Sequence, residues 1–200
     1  MASDSFTNTN NTALGSHTVQ NTWAKARGNA DSEVYIYGNL LRVAAYRENH
    51  YWYSESTVDS SQVVVKPNAS NSIKAGPAVR IQGGGVGGYH ANLGNHSGGY
   101  ATRISIEKNA SWLGGAPVSA DNTVDHTIKI TASGTGATVT IKVYLDGELV
   151  KTLDDSSSPY TSGNSGVFLS NATTPAIDML DDWTDGVAVG VKPYVIYAQQ

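Results

Sequence analysis

The segment TVTIKVYL, residues 138–145, alternates apolar and polar side chains along its whole length. A period of two matches a β-strand, whose successive side chains point to opposite faces, and does not match a helix of 3.6 residues per turn. Asp146 and Gly147 follow before ELVKTL returns, and this pair favours a type I′ turn because both positions need positive φ. We therefore predict an antiparallel hairpin with one buried face. The buried set is Val139, Ile141, Val143 and Leu145.

The same alternation recurs along the rest of the chain, and turn-forming residues interrupt nearly every window of ten residues. A helix would need longer uninterrupted stretches with apolar residues at three- and four-residue spacing. Many short strands without helices between them are typical of an antiparallel sandwich or barrel, so we predict an all-β fold. Further pairs of inward-facing residues are Val34 and Ile36, Leu41 and Val43, Val63 and Val65, Val79 and Ile81, Ile104 and Ile106, and Ile128 and Ile130.

The size and charge of the chain exclude several classes of function. With 200 residues, a single domain can bury a sizeable core without disulfides, and the chain has no cysteine. The net charge is −4, and Lys and Arg are scattered singly, so no basic stripe is present and nucleic acid is not an expected partner. The N-terminus MASDSFTNTNN has neither a basic start nor an apolar run. We therefore expect no signal peptide, synthesis in the cytosol and no membrane insertion.

A glycine-rich stretch lies between the apolar segments AVRIQ and YATRISIE. Gly83, Gly85 and Gly88 satisfy the G-x-G-x-x-G spacing of a dinucleotide-binding loop. That pattern binds a pyrophosphate only when a helix follows the glycines, and no helical periodicity follows here. We predict that residues 83–99 form a surface loop without nucleotide affinity, with Tyr89 and His90 in it.

Four consecutive segments resemble the concanavalin A-like lectin/glucanase family, a laminin-G-like jelly roll, and specifically its short bacterial and phage members. They are SDSFTNTNNTALGSHTVQNTW, VYIYGNLLRVAA, AGPAVRIQ with GGYHANLG and YATRISIEKN, and the long stretch from HTIKITASGTGATVTIKVYLDGELVKTL to AIDMLDDW. The resemblance covers roughly residues 4–183. It implies an antiparallel two-sheet jelly-roll sandwich for residues 1–186, with residues 187–200 as a C-terminal arm or an extra strand.

The motifs of the catalytic members are missing. Glucanases of this fold carry E-x-D-x-x-E on one strand, because the acid and the nucleophile must flank the scissile bond about 5 Å apart. No segment of this chain has that spacing, and the stretch YHANLGNHSGGY lacks the Lys and Gln of the corresponding lyase strand. We therefore predict that the protein is not an enzyme, although acid and base groups can also converge from distant strands.

Aromatic residues are the remaining signal for a binding site. Four Trp and eleven Tyr stand against two Phe, a bias toward rings with a polar tip that suit sugar-binding and protein-binding surfaces. In jelly-roll relatives the middle segment contributes to the concave face, which implies a glycan surface there. Its candidates are Tyr89, His90, Tyr100, Arg103 and Trp112. In the alternative interpretation, Trp23, Trp112 and Trp183 anchor the core and the tyrosines cover sheet edges.

The resemblance also implies one metal site. Several relatives bind a structural calcium through acids near the chain ends, and Asp4 and Asp178 would lie near each other if the first and last strands pair. Calcium prefers such oxygen ligands, but Asp also caps turns, so both interpretations stay open. His90 and His96 are too loosely spaced to predict a zinc site. No other cofactor is expected.

Two functions of different classes remain. The first is a non-enzymatic structural protein of a virion, a capsid decoration or tail-associated subunit that exposes a lectin-like sandwich at the virion surface and contacts other virion proteins. The second is a carbohydrate-binding module or lectin for surface glycans. A glycan-cleaving enzyme is disfavoured by the missing carboxylates. For the first function we predict a homo-oligomer held by an assembly arm. The arm residues are Val187, Val189, Val191, Tyr194, Ile196 and Tyr197.

Overall fold

The computed structural model of the protein describes residues 2–7, 12–17, 22–28, 34–43, 49–65, 73–97, 100–171 and 177–185. Within these ranges, residues 43, 49, 50, 73, 95–97, 171 and 177–179 are described as backbone only. The described strands form two antiparallel sheets. The described residues also contain one short 3₁₀ turn, Leu14–Ser16. The predicted two-sheet antiparallel sandwich is confirmed. Among the described residues, no helix is long and apolar enough to cross a membrane.

The first sheet, called sheet A, consists of β1 (Ser3–Asp4), β2 (Thr12–Ala13), β4 (Val34–Tyr37), β5 (Leu40–Val43), β7 (Ser60–Val65), β12 (His126–Ser133), β13 (Val139–Leu145), β14 (Glu148–Asp155) and β16 (Ile177–Thr184). The strand order across the sheet is β14-β13-β12-β7-β16-β5-β4-β2, with β1 paired to β16.

The second sheet, called sheet B, consists of β3 (Ala24–Arg27), β6 (Asn49–Tyr53), β8 (Ile73–Ile81), β9 (Tyr89–Ser97), β10 (Tyr100–Lys108), β11 (Ser111–Asp121) and β15 (Asn164–Asn171). The strand order across the sheet is β11-β10-β9-β8-β15-β6-β3.

The hairpin predicted from TVTIKVYL is present as β13 and β14. Val139, Ile141 and Val143 are fully buried in the space between the sheets, as the alternation requires. Leu145, at the end of β13, is half-buried and packs against the same core. The turn residues Asp146 and Gly147 have φ of 51° and 88°, so both take the left-handed conformation of a type I′ turn.

The main core lies between the two sheets and contains two of the predicted tryptophan anchors. Trp23 and Trp183 are buried, and their rings meet edge to face with centroids 4.9 Å apart. The Trp183 indole N–H donates to the Ser61 hydroxyl at 3.0 Å, so burial leaves this donor satisfied. A second, smaller apolar cluster contains Tyr51 and Phe168 and lies apart from the main core.

The prediction of a loop over residues 83–99 is wrong. Among the described residues of this stretch, the turn is confined to the connection around Gly83–Gly87, closed by a hydrogen bond from the Gln82 amide to the Gly87 carbonyl at 3.0 Å. Tyr89–Ser97 is a nine-residue strand between β8 and β10. Its inward side chains are Tyr89, Ala91 and Leu93, and its other face carries polar groups and a glycine, which are typical of loops by composition. Pairing on both edges overrides that weak local preference.

The predicted C-terminal arm lies outside the described residues, which end at residue 185. This holds for all six arm residues: Val187, Val189, Val191, Tyr194, Ile196 and Tyr197. The division into a domain of residues 1–186 and an arm of residues 187–200 stays a prediction.

Candidate functional site

An open groove crosses the face of sheet B that points away from the main core. Its volume is about 460 Å³, and it is lined by side chains from three strands and one turn. The lining residues are Lys74, Arg103, Glu107, Ala110 and Trp112. They belong to β8, β10, the β10–β11 turn and β11, so β9 forms the middle of the groove between β8 and β10.

Small residues lie on the strands around the groove. In the antiparallel register, Arg103 lies opposite Gly94 of β9, and Ser105 lies opposite Gly115 of β11. Gly76 of β8 approaches β9 so closely that an added Cβ would lie 1.9 Å from the Ala91 carbonyl oxygen. These positions carry at most a hydroxymethyl group, whereas the same face of β9 also carries His90 and Asn92, which are buried.

Trp112 provides the aromatic wall of the groove, and 52% of it is exposed. Its ring leans over Gly115, where an added Cβ would lie 2.7 Å from the Trp112 Cη2 atom. The Arg103 guanidinium carbon lies 4.7 Å from the ring centroid, within the range of a cation–π contact. The glycine and the arginine therefore hold an exposed indole in one place on the edge strand.

A polar cluster around Glu107, the register partner of Trp112, forms the next part of the lining. The Lys74 ammonium donates to Glu107 Oε1 at 2.8 Å, and the Asn92 amide approaches the same oxygen at 3.5 Å. Glu107 is almost fully buried, whereas half of the Lys74 side chain is exposed. The ammonium group thus lies at the solvent side of the carboxylate.

His90 lies beneath this cluster and is fully buried. Its ring stacks on Phe168 with centroids 3.5 Å apart, and Nδ1 lies 2.8 Å from the Tyr51 hydroxyl. The Ala110 amide donates to the same hydroxyl at 2.9 Å, which ties the β10–β11 turn to β6. Burial lowers the pKa of His90 well below its ordinary value, with the nearby Lys74 charge acting in the same direction, so the imidazole is neutral at pH 7.

The buried neutral imidazole predicts a loss of stability in mild acid. The pKa of His90 is lower in the folded than in the unfolded chain, so the unfolded chain binds the extra proton first. The stabilising effect is complete above the unfolded pKa of about 6.5 and is lost as the pH falls below it, by at most about 1.4 kcal/mol per pH unit. Urea unfolding at about pH 7.5 and about pH 5 measures the decrease.

A matched pair of variants assigns that decrease to its source. His90→Gln should remove much of the pH dependence, whereas His126→Gln, at a nearly buried histidine on sheet A, should retain it. An equal decrease in the wild type and His90→Gln would mean that another group titrates.

The structure brings together two of the five predicted glycan-site residues, Arg103 and Trp112. His90 is adjacent but buried below the groove, and Tyr100 is exposed on β10 without lining it. Tyr89 faces the main core, where its hydroxyl donates to Asp155 Oδ2 at 2.7 Å and accepts from the Tyr160 amide at 2.9 Å. Its proposed surface role is therefore wrong. The alternative interpretation of Trp112 as a core anchor is also wrong.

Lys74 and Glu107 were missed as site residues. They are 33 residues apart in sequence, and only the pairing of β9 between β8 and β10 makes them neighbours. The available signal was the parity along β10: Ile104 and Ile106 point inward, so Arg103 and Glu107 share the other face.

Asp4 does not fit a calcium ligand. Strands β1 and β16 pair as expected, but Asp4 lies opposite Trp183, five residues along β16 from Asp178, whose side chain is not among those described. The Asp4 carboxylate is buried and bonded to His17 Nε2, the Trp23 indole N–H and the Phe6 amide at 2.8–3.0 Å. Both carboxylate oxygens of Asp4 therefore already have hydrogen-bond partners within the protein. Calcium binding by the protein stays a prediction.

Comparisons with known proteins identify the fold. No protein-family model matches the chain, and no curated protein sequence matches it significantly. Among solved structures, the carbohydrate binding module CBM66 from Bacillus subtilis matches with a TM-score of 0.55 at 18% identity, over 81% of this chain and 95% of that chain. A Shewanella oneidensis protein of unknown function matches with a TM-score of 0.52 at 14% identity, over 91% and 83% of the two chains.

A third match is part of a larger protein. The Bacteroides ovatus xyloglucan PUL protein GH43B matches with a TM-score of 0.55 at 15% identity, over 91% of this chain but 38% of that chain. At these identities the similarity establishes the fold alone. The virion role, the partners in a particle and the oligomeric state have no support in the comparisons and stay predictions. The two-sheet architecture and these matches together establish that the chain has the concanavalin A-like jelly-roll fold, as expected from its sequence.

Proposed function

We propose that the protein is a non-catalytic carbohydrate-binding domain and that the groove on sheet B is its binding site. The observation that carries the proposal is the exposed Trp112 ring, which is held in place on an open sheet face beside charged hydrogen-bonding groups. The groove volume of about 460 Å³ lies in the range of small-ligand sites.

The chemistry of the lining suits a sugar. One face of a pyranose ring is made of C–H groups and packs well on a flat aromatic ring, while its hydroxyls need polar partners at the rim. Trp112 offers the flat surface, and Lys74 and Arg103 offer donors on either side of β9. The similarity of the fold to a module named for carbohydrate binding agrees with this assignment.

Binding without cleavage follows from the acids of the groove. Glycoside hydrolysis in most enzymes uses two carboxyl groups that flank the scissile bond. Among the described residues that line the groove, Glu107 is the one carboxylate, and its Oε1 is already bonded to the Lys74 ammonium.

A glycan array followed by titration calorimetry tests the proposal with a matched pair of variants. Trp112→Ala should weaken the tightest array glycan by about tenfold to about a hundredfold, by analogy with the loss of an aromatic stacking partner. Tyr37→Ala is the control, because Tyr37 is also an exposed ring with an arginine, Arg42, over it, but lies on sheet A. Equal affinity of the Trp112→Ala variant and the wild type, or no binding to any glycan, would refute the proposed site.

A further inference from the structure

The charges of the groove indicate which class of saccharide it takes. We propose that the ligand is an acidic saccharide and that Arg103 and Lys74 hold the carboxylate of one sugar ring while Trp112 packs against the ring. This inference rests on the proposed carbohydrate binding and adds a ligand class to it.

The two cations line the same groove and belong to the strands on either side of β9. Arg103 is on β10 directly opposite Gly94 of β9, and Lys74 is on β8, the strand on the other side of β9. The backbones of β8 and β10 are about 10 Å apart, given the usual spacing of neighbouring strands. The Lys74 ammonium reaches to Glu107 of β10, and Arg103 lines the same groove, so a carboxylate bound in the groove can contact both cations.

The acid of the groove does not oppose an anionic ligand strongly. Glu107 is almost fully buried, and the Lys74 ammonium, 2.8 Å away, lies between its carboxylate and solvent. An anion entering from solvent therefore meets Lys74 before it approaches Glu107. This arrangement is local, because the whole chain has a net charge of −4.

The stacking of Arg103 on Trp112 suits a carboxylate. A guanidinium group is planar and binds both oxygens of a carboxylate through a pair of parallel N–H groups. The cation–π contact at 4.7 Å restrains the orientation of that plane, so less side-chain freedom is lost on binding. A sugar ring packed on the part of the Trp112 indole that Arg103 leaves exposed brings a carboxylate at its own edge close to Arg103.

The test uses oligosaccharides of galacturonate, mannuronate and hyaluronan, each paired with its carboxyl-reduced form. Reduction replaces the carboxylate by a hydroxymethyl group and leaves the ring unchanged. Titration of the whole protein should give at least one acidic oligosaccharide that binds about tenfold or more tightly than its reduced partner. The affinity should fall as the salt concentration rises, because exposed charges are screened.

Variants assign the preference to the two cations. Arg103→Gln and Lys74→Gln should each reduce the preference for the acidic form, whereas Arg42→Gln on sheet A should leave it unchanged. Arg103→Lys should retain part of it, because the charge remains and the bidentate geometry is lost. Circular dichroism and the thermal midpoint of each variant show that the fold is intact.

The outcomes separate this inference from the proposed function. Equal affinity for the acidic and the reduced oligosaccharides would overturn the inference of an acidic ligand. Binding of neutral array glycans alone would do the same. If that binding is lost in the Trp112→Ala variant, the proposed carbohydrate site remains in place. Binding of no saccharide in the array or the panel would overturn both.

Discussion

Gly76→Ala is expected to destabilise the domain by about 3 kcal/mol or more, because the new methyl group has no room. An added Cβ at this position would lie 1.9 Å from the carbonyl oxygen of Ala91 and 3.0 Å from its carbonyl carbon. Both atoms belong to the backbone of β9, so the neighbour cannot move aside by changing a rotamer. The two strands would have to separate in the middle of sheet B, beneath the groove. Chemical denaturation of the purified variant measures the loss.

Gly83→Ala is the matched control for this substitution. Gly83 lies in the β8–β9 connection, no atom lies within 4 Å of an added Cβ, and its φ is not positive. We expect a change of at most about 1 kcal/mol, with a gain possible because alanine restricts the unfolded chain. If Gly76→Ala and Gly83→Ala have equal stability, β8 and β9 do not approach as closely as described here.

The strand β13 of sheet A was predictable because its side chains follow a clean alternation. In β13 the inward residues are all large and apolar, and the outward ones are Thr140, Lys142 and Tyr144. A strand with one buried and one solvated face must show this pattern, and Asp146-Gly147 then dictates the turn. Local sequence and tertiary environment therefore indicate the same structure.

The strand β9 was not predictable by the same criterion, because its second face is buried without being apolar. His90 and Asn92 have no solvent exposure, yet their composition favours loops. His90 is accommodated by stacking on Phe168 and by its contact with the Tyr51 hydroxyl. Those partners come from β15 and β6, far away in the sequence, so no local window contains the reason for the strand.

The candidate site was predictable in part. Arg103 and Trp112 were identified from the aromatic bias and the family resemblance, and they do meet. The position of the Trp112 ring depends on Gly115, which lies beneath it. A regular β10–β11 hairpin would not bring these two residues together. They meet because the register shifts between Ile106 and Glu107. The contribution of Lys74 needs the order of four strands in sheet B, which only the folded chain supplies.

Gly94→Trp is expected to abolish glycan binding while preserving the fold. Gly94 lies directly opposite Arg103, which lines the groove, and its φ is not positive. An added Cβ would lie 3.7 Å from Asn92 Oδ1 and 3.8 Å from Ser105 Oγ, which are ordinary contacts. The Cβ atom of a larger side chain at this position therefore fits without a clash, and the remaining atoms must extend into the groove beside Arg103. It occupies the space of the ligand and removes none of the groove residues.

The loss should exceed about a hundredfold, because a filled site excludes the ligand instead of losing a single contact worth about 1 to 3 kcal/mol. Gly94→Ala is the control, since one methyl group at ordinary contact distance leaves the groove open. We expect its affinity to stay within about threefold of the wild type, a difference below about 1 kcal/mol. Both variants should unfold at nearly the wild-type temperature.

Titration calorimetry of the wild type, Gly94→Ala and Gly94→Trp with the tightest saccharide from the array is the most direct test of the groove as the binding site. The structure predicts saturable binding by the wild type and Gly94→Ala and none by a folded Gly94→Trp variant. Wild-type affinity in the folded Gly94→Trp variant would contradict the assignment and would locate carbohydrate binding outside the groove on sheet B.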